Sequence, residues 1–218
     1  MDHRETHSPS EAIPKVLPFK QELLRKSLHL VALIIPAGML WLGKYPSALI
    51  LGSLAGIAIF LDILRVKAPN LNHLLQKIFG PLMRPKEKTP QTPKFALNGA
   101  TWSLVSAFLL VSIFPVHVAA FSFAMFMVAD GAAAVVGQRW GRKFWGKSSK
   151  TLEGSLAFLI AALVVVVVFP GINLWIGAAA SVCACLAELL PGPFNDNLRV
   201  PLISACVVLL GETLAVFP

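Results

Sequence analysis

An all-α, polytopic membrane protein of about seven transmembrane helices with a cytosolic N-terminus is the architecture this sequence predicts. Three observations carry it. Of 218 residues, 56% are hydrophobic and only 14% charged, well below the roughly 25% charged residues of a soluble domain, and the mean hydropathy is +0.72. The apolar residues form runs near the length of about 20 that a spanning helix needs. The cations are sorted between alternate loops.

The runs are, in order, Leu28–Gly43, Pro46–Leu64, Ala96–Phe114, Val116–Gly137, Glu153–Pro170, Ile172–Leu190 and Arg199–Phe217. The first is short, and its helix is expected to begin earlier, near Glu22. Residues 1–21 mix Asp, Glu, Pro and His without an apolar core, so they read as a short cytosolic tail and not as a signal peptide. Residues 22–218 read as one transmembrane catalytic domain. Within it, the 68–95 segment holds Leu71, Leu74, Leu75, Ile78 and Leu82 at helical spacing, which predicts an interfacial amphipathic helix followed by a Pro- and Lys-rich linker.

All of the 19 Lys and Arg residues except Lys44 fall before span one or in the loops after spans two, four and six. Cationic loops stay cytosolic, which orients the chain in a multi-pass cell membrane. The net charge of +8 therefore reads as topology, with no nucleic-acid-binding face. Cys183, Cys185 and Cys206 lie in apolar runs without metal-ligand spacing and read as small buried hydrophobes.

Acids inside membrane spans are costly and point to function. Asp62, Asp130, Glu153, Glu188 and Asp196 all fall toward the cytosolic ends, whereas Glu212 sits near the outer end as an interfacial group. Asp62 has a bland reading, an i,i+3 pair with Arg65 on the helix surface. Asp130, Ala134, Gly137 and Gly141 form a helical stripe of one acid and small residues. That stripe is either a small-residue packing face or a surface on which phosphates approach the backbone. After it come Arg139, Arg142, Lys143, Lys147 and Lys150, then Ser148, Ser149, Thr151 and Glu153, ahead of a helix N-terminus that favours anions. Metal bound to nucleotide phosphates takes only one or two carboxylates, and the set suits such a site. It is not a Walker A loop, since it lacks the motif and follows a helix. "AELLPGPFNDNLRVPL" adds Glu188, Asn195, Asp196, Asn197 and Arg199. "ELLRKSLHL" places Glu22, Arg25, Lys26 and His29 on one helical face, with Arg25 and Lys26 as interface anchors.

Three stretches together, "RKSLH" (25–29), "ADGAAAVVGQRWGRKFWGKSSKTLEGS" (129–155) and Glu188 with "DNLRVP" (196–201), resemble the dolichol kinase, phytol kinase and CTP-dependent diacylglycerol kinase family. The central string is also similar to that of phosphatidate cytidylyltransferases, but this chain lacks their Pro-Gly-His-Gly-Gly and Asp-Arg ending. The resemblance implies transfer of the γ-phosphate of CTP, with Mg²⁺ or another divalent cation, to an isoprenoid alcohol or diacylglycerol at the cytosolic face. It implies catalytic roles for Asp130, Asp196, Glu188 and His29, and metal-binding roles for Asp130, Glu153 and Asp196. Gly137, Arg139, Gly141, Arg142, Lys147, Lys150, Thr151 and Asn197 would contact the nucleotide, with the acceptor hydroxyl near His29 and Asn98. The rival readings are a cytidylyltransferase and a small ion-coupled transporter. A transporter calls for acids near the midplane, whereas these crowd one rim beside cations.

Overall fold

The computed structural model describes residues 19–80, 83, 97–145, 150–190, 192 and 194–216. The chain runs through α1 (Phe19–Val31), α2 (Ile34–Leu42), α3 (Lys44–Lys67), α4 (Pro69–Phe79), α5 (Gly99–Ile113), α6 (Val116–Trp140), α7 (Leu152–Val168), α8 (Leu174–Leu189) and α9 (Asp196–Val216). Among the described residues there is no strand, only an isolated bridge between Phe144 and Thr151.

Four stretches are long and apolar enough to cross a membrane: Gln21–Leu42, Lys44–Lys67, Val116–Trp140 and Asp196–Ala215. Three shorter apolar helices, Gly99–Ile113, Leu152–Val168 and Leu174–Leu189, coincide with the remaining expected runs. The first stretch includes α1 and α2, and Pro36 explains the break between them. Proline has no N–H and its ring clashes with the carbonyl four residues back, here Ala32. The chain answers with a tight Ile35 N–H to Ala32 O bond of 3.0 Å. The amphipathic run after α3 forms α4, begun by Pro69 at its first turn. Leu82 and most of the linker fall outside the described residues.

The core is built around α6. Every residue from Val118 to Met127 is buried, and α1, α2, α5, α7 and α9 all pack on this helix. Apolar side chains also cover the outer surface, including Ile34, Leu49, Val167, Val168 and Leu214, as expected of a bundle whose solvent is lipid. Trp41, Tyr45 and Trp175 are 86, 86 and 85% exposed. They flank the tight turns at Gly43 and Gly171, both of which take positive φ where glycine carries no steric penalty. Aromatic residues at such turns suit a membrane–water interface. Cys185 is buried, but Cys206 is exposed, because its position on α9 turns it outward. The sequence expectation is corrected for that residue.

Candidate functional site

Polar contacts gather at the end of the bundle where α1, α7 and α9 begin and α3, α6 and α8 finish. At the opposite end, among the described residues, His117 Nε2 pairs with Glu212 Oε2 at 3.1 Å, which suits the interfacial role expected of Glu212.

Asp130 projects from α6 toward α1. Its Oδ2 accepts a hydrogen bond from the Lys26 ammonium and lies 3.3 Å from His29 Nδ1. Lys26 is 4% exposed, so the pair is screened from water. On the same face Arg25 donates to both carboxylate oxygens of Glu22, an i,i+3 pair within α1. Sequence reasoning reads Lys26 as an interface anchor and misses its place in the site. The available signal was its position three residues before His29, on the face that also carries Glu22 and Arg25.

A second group forms around Lys150. Its Nζ lies 2.9 Å from Glu188 Oε1 and 2.9 Å from Asp196 Oδ2, and it donates to the Glu188 carbonyl. Arg199 donates to Asp196 Oδ1 at 2.7 Å and to Leu190 O at 2.7 Å, tying the start of α9 to the end of α8. Two backbone hydrogen bonds fix the chain at Lys150. Trp145 N–H bonds Lys150 O at 3.0 Å and Leu152 N–H bonds Lys143 O at 2.8 Å. The two groups share one end of the bundle and make up a joined site of two charged halves. Lys147 lies outside the described residues.

The glycines pack helices. A Cβ on Gly137 would meet Thr151 Oγ1 at 3.0 Å, and one on Gly154 would meet Ala133 O at 3.0 Å. The Gly137 and Gly141 end of the stripe thus faces the start of α7, as the packing reading expects. Thr151 is the N-cap of α7, accepting Gly154 N–H at 3.1 Å, and is buried in the contact. Such caps satisfy orphan helix donors. Gly141 lies against the Thr151 side chain.

Glu153 stands apart from the other acids. It accepts the Lys143 N–H at 3.3 Å and lines a cavity of about 370 Å³ with Arg139, Trp140, Gly141 and Arg142. Arg139 leaves α6 about two and a half turns after Asp130, on the other side of the helix axis, and its guanidinium lies 6.0 Å from the Phe19 ring centroid.

Two further polar groups tie helices together. Asp62 is 4% exposed and lies 3.0 Å from Arg65 Nε. It accepts hydrogen bonds from Asn98 N at 2.9 Å, Asn98 Nδ2 at 3.0 Å and Thr101 Oγ1 at 2.7 Å. The expected pair is present, but buried and enlarged into a clamp between α3 and α5. Asn98 also caps α5 through Thr101 N–H at 2.9 Å. Asn197 Nδ2 donates to Gly99 O at 2.8 Å and Ser103 Oγ at 3.0 Å, fastening α9 to α5.

Among the described residues no three His, Cys, Asp or Glu side chains are gathered closely enough to hold a metal ion. Asp130, Glu153 and Asp196 each meet a different nitrogen donor, so they form no resident cage. Glu188 and Asp196 do converge on the single positive charge of Lys150, a donor pair that suits a cation arriving with phosphates.

No family model matches the chain, and no solved structure matches it. It is 26% identical over 198 residues to an uncharacterised protein of Rickettsia prowazekii, covering 86% of this chain and 93% of that one. It is 28% identical over 169 residues to CTP-dependent diacylglycerol kinase 1 of Schizosaccharomyces pombe, covering 68% and 73% of the two chains. Over 94 residues it is 35% identical to phytol kinase of a Synechocystis species, covering 39% and 40%.

Proposed function

We propose, from the premise that this chain is a polyprenol- and lipid-kinase-like protein, that it transfers the γ-phosphate of CTP to the hydroxyl of a membrane lipid alcohol. Similarity to a CTP-dependent diacylglycerol kinase and a phytol kinase supports that premise and, with it, a phosphotransferase acting on a lipid alcohol. The observation that carries the reading is the joined site, in which the Lys150–Glu188–Asp196 group and the Asp130–Lys26–His29 group share one end of the bundle. Phosphoryl transfer needs little beyond positioning and charge neutralisation, and both are at hand.

Lys150 and Lys26 meet the phosphates of the donor. The lipid alcohol, an isoprenoid alcohol or a diacylglycerol, keeps its tail in the bilayer and brings its hydroxyl to the Asp130–His29 pair. The alcohol oxygen bonds to the terminal phosphorus while the bond from that phosphorus to its bridging oxygen breaks, and CDP leaves. The alcohol proton passes to the Asp130 carboxylate, with His29 keeping that carboxylate oriented. Mg²⁺ or another divalent cation carried on the nucleotide would be held by Asp196 and Glu188 and would supply further neutralisation of phosphate charge. The site opens to the cytosol, because the flanking loops carry the cations.

The test is purified chain incubated with CTP labelled at the α- or the γ-phosphate, and a panel of lipid alcohols plus phosphatidate. Label entering lipid from the γ position alone is the expected result. Label from the α position alone makes the chain a cytidylyltransferase, and label from neither rejects phosphotransfer from CTP.

A further inference from the structure

The cavity at Arg139 and Arg142 lies outside the joined site and continues into a second one. An apolar slot of about 550 Å³ runs between α6 and α7, and Trp140 and Glu153 line both cavities. On α6 the slot is lined by Ala132 and Val136, and on α7 by Leu156, Ala157, Ile160 and Ala161. These positions follow i, i+4 on one helix and i, i+1, i+4, i+5 on the other, so each set forms one stripe. Because Ala132, Ala157 and Ala161 carry only a methyl group, the facing stripes leave a trough between the bulkier Leu156 and Ile160. From Glu153 to Ala161 the slot spans about 12 Å of helix, under half of the roughly 30 Å hydrocarbon layer. It therefore fits a single hydrocarbon chain descending from one interface.

The head of the slot is cationic. Two guanidinium groups, Arg139 and Arg142, flank it together with the Trp140 ring. The one acid there, Glu153, takes the Lys143 backbone N–H. Paired guanidinium groups match a dianionic phosphate through forked hydrogen bonds, and a phosphate monoester carries about −1.5 to −2 charge at pH 7. A neutral alcohol leaves both arginines unanswered, and a diester answers only one.

We propose that the α6–α7 slot binds a lipid phosphate monoester, its chain between Ala132, Ala157 and Ala161 and its phosphate on Arg139 and Arg142. The site lies around α6 from Asp130 and is separate from the acceptor position. A lipid phosphate is what the proposed reaction makes, so the slot would hold product away from the joined site, but binding there can be measured whether or not the chain is a kinase.

The experiment uses the full chain in detergent micelles with a long-chain alkyl phosphate monoester bearing a photoreactive diazirine in its chain. Cross-linked peptides are mapped by mass spectrometry. Labelling is expected within 132–142 and 153–161, and competition is expected from the unlabelled monoester but not from the same-chain alcohol or phosphodiester. Replacing both arginines (R139Q with R142Q) should weaken labelling about tenfold or more, the loss expected of a charge-assisted contact. Ala157→Phe should block it while leaving the arginines in place. Labelling elsewhere in the wild-type chain, or equal competition by alcohol or diester, overturns the proposal without any variant. Slot labelling in a chain that transfers no γ-phosphate keeps this site and rejects the kinase reading. Phosphotransfer without slot labelling does the reverse.

Discussion

Lys26 of α1 donates its ammonium to the Asp130 carboxylate of α6, 104 residues away in sequence. Lys26 is buried and Asp130 is 19% exposed, so each charge depends on the other for compensation. Removing one partner of a buried pair costs about 3–5 kcal/mol, whereas removing both can be close to neutral. Lys26→Met is therefore expected to lower the melting temperature sharply in detergent. Adding Asp130→Asn to it should restore most of the stability but none of the phosphotransfer. Full restoration of turnover in the double variant would remove Asp130 from the reaction.

Asp130→Asn alone is expected to lower kcat about a hundredfold to ten-thousandfold, the range for losing a positioned proton acceptor, with the KM for CTP little changed. Steady-state kinetics on folded, monodisperse protein measures it.

Lys150→Met should act on the donor. It removes the one ammonium on which Glu188 and Asp196 converge and leaves two carboxylates facing each other. The KM for CTP is expected to rise about tenfold to a hundredfold, on the scale of a lost charge-assisted contact. The KM for the lipid alcohol should stay near the wild-type value.

The glycines make a prediction about packing. Gly154→Ala puts a methyl group 3.0 Å from the Ala133 carbonyl, and overpacking of this kind costs about 1–3 kcal/mol. Gly131 has nothing within 4 Å of the same added atom. Gly131→Ala should leave stability unchanged or raise it by about 0.5–1 kcal/mol, since alanine is the better helix former. Thermal unfolding of the two variants side by side is the measurement.

Asp62→Ala is expected to destabilise by about 3–5 kcal/mol because it removes the buried acid that answers Arg65, Asn98 and Thr101 together. Activity per folded molecule should hold at low temperature. A selective rise in the KM for either substrate would show that the α3–α5 clamp belongs to the site.

Residue chemistry and periodicity alone determined that the chain is helical and membrane-embedded, where the apolar runs lie, and that acids and cations share one rim. Hydrocarbon solvent forces these features, since every spanning backbone group must be satisfied within its own helix. The ends of α6, α7 and α9 fall within a few residues of the expected spans for the same reason. Pairing was decided only by tertiary structure. Asp130 has no cation adjacent in sequence, and its partners come from α1 because α1 packs on α6. Glu153 sits close to the cations in sequence, yet α7 turns it away from Glu188 and Asp196, to the far side of α6. The glycine stripe offers one face to a phosphate or to a helix, and the fold sets Thr151 against Gly137 and Gly141. Sequence spacing sets which residues share a face of one helix. Which faces meet depends on the packing of several helices at once, and that packing set Glu153 with Arg139 and Arg142 but Lys150 with Glu188 and Asp196.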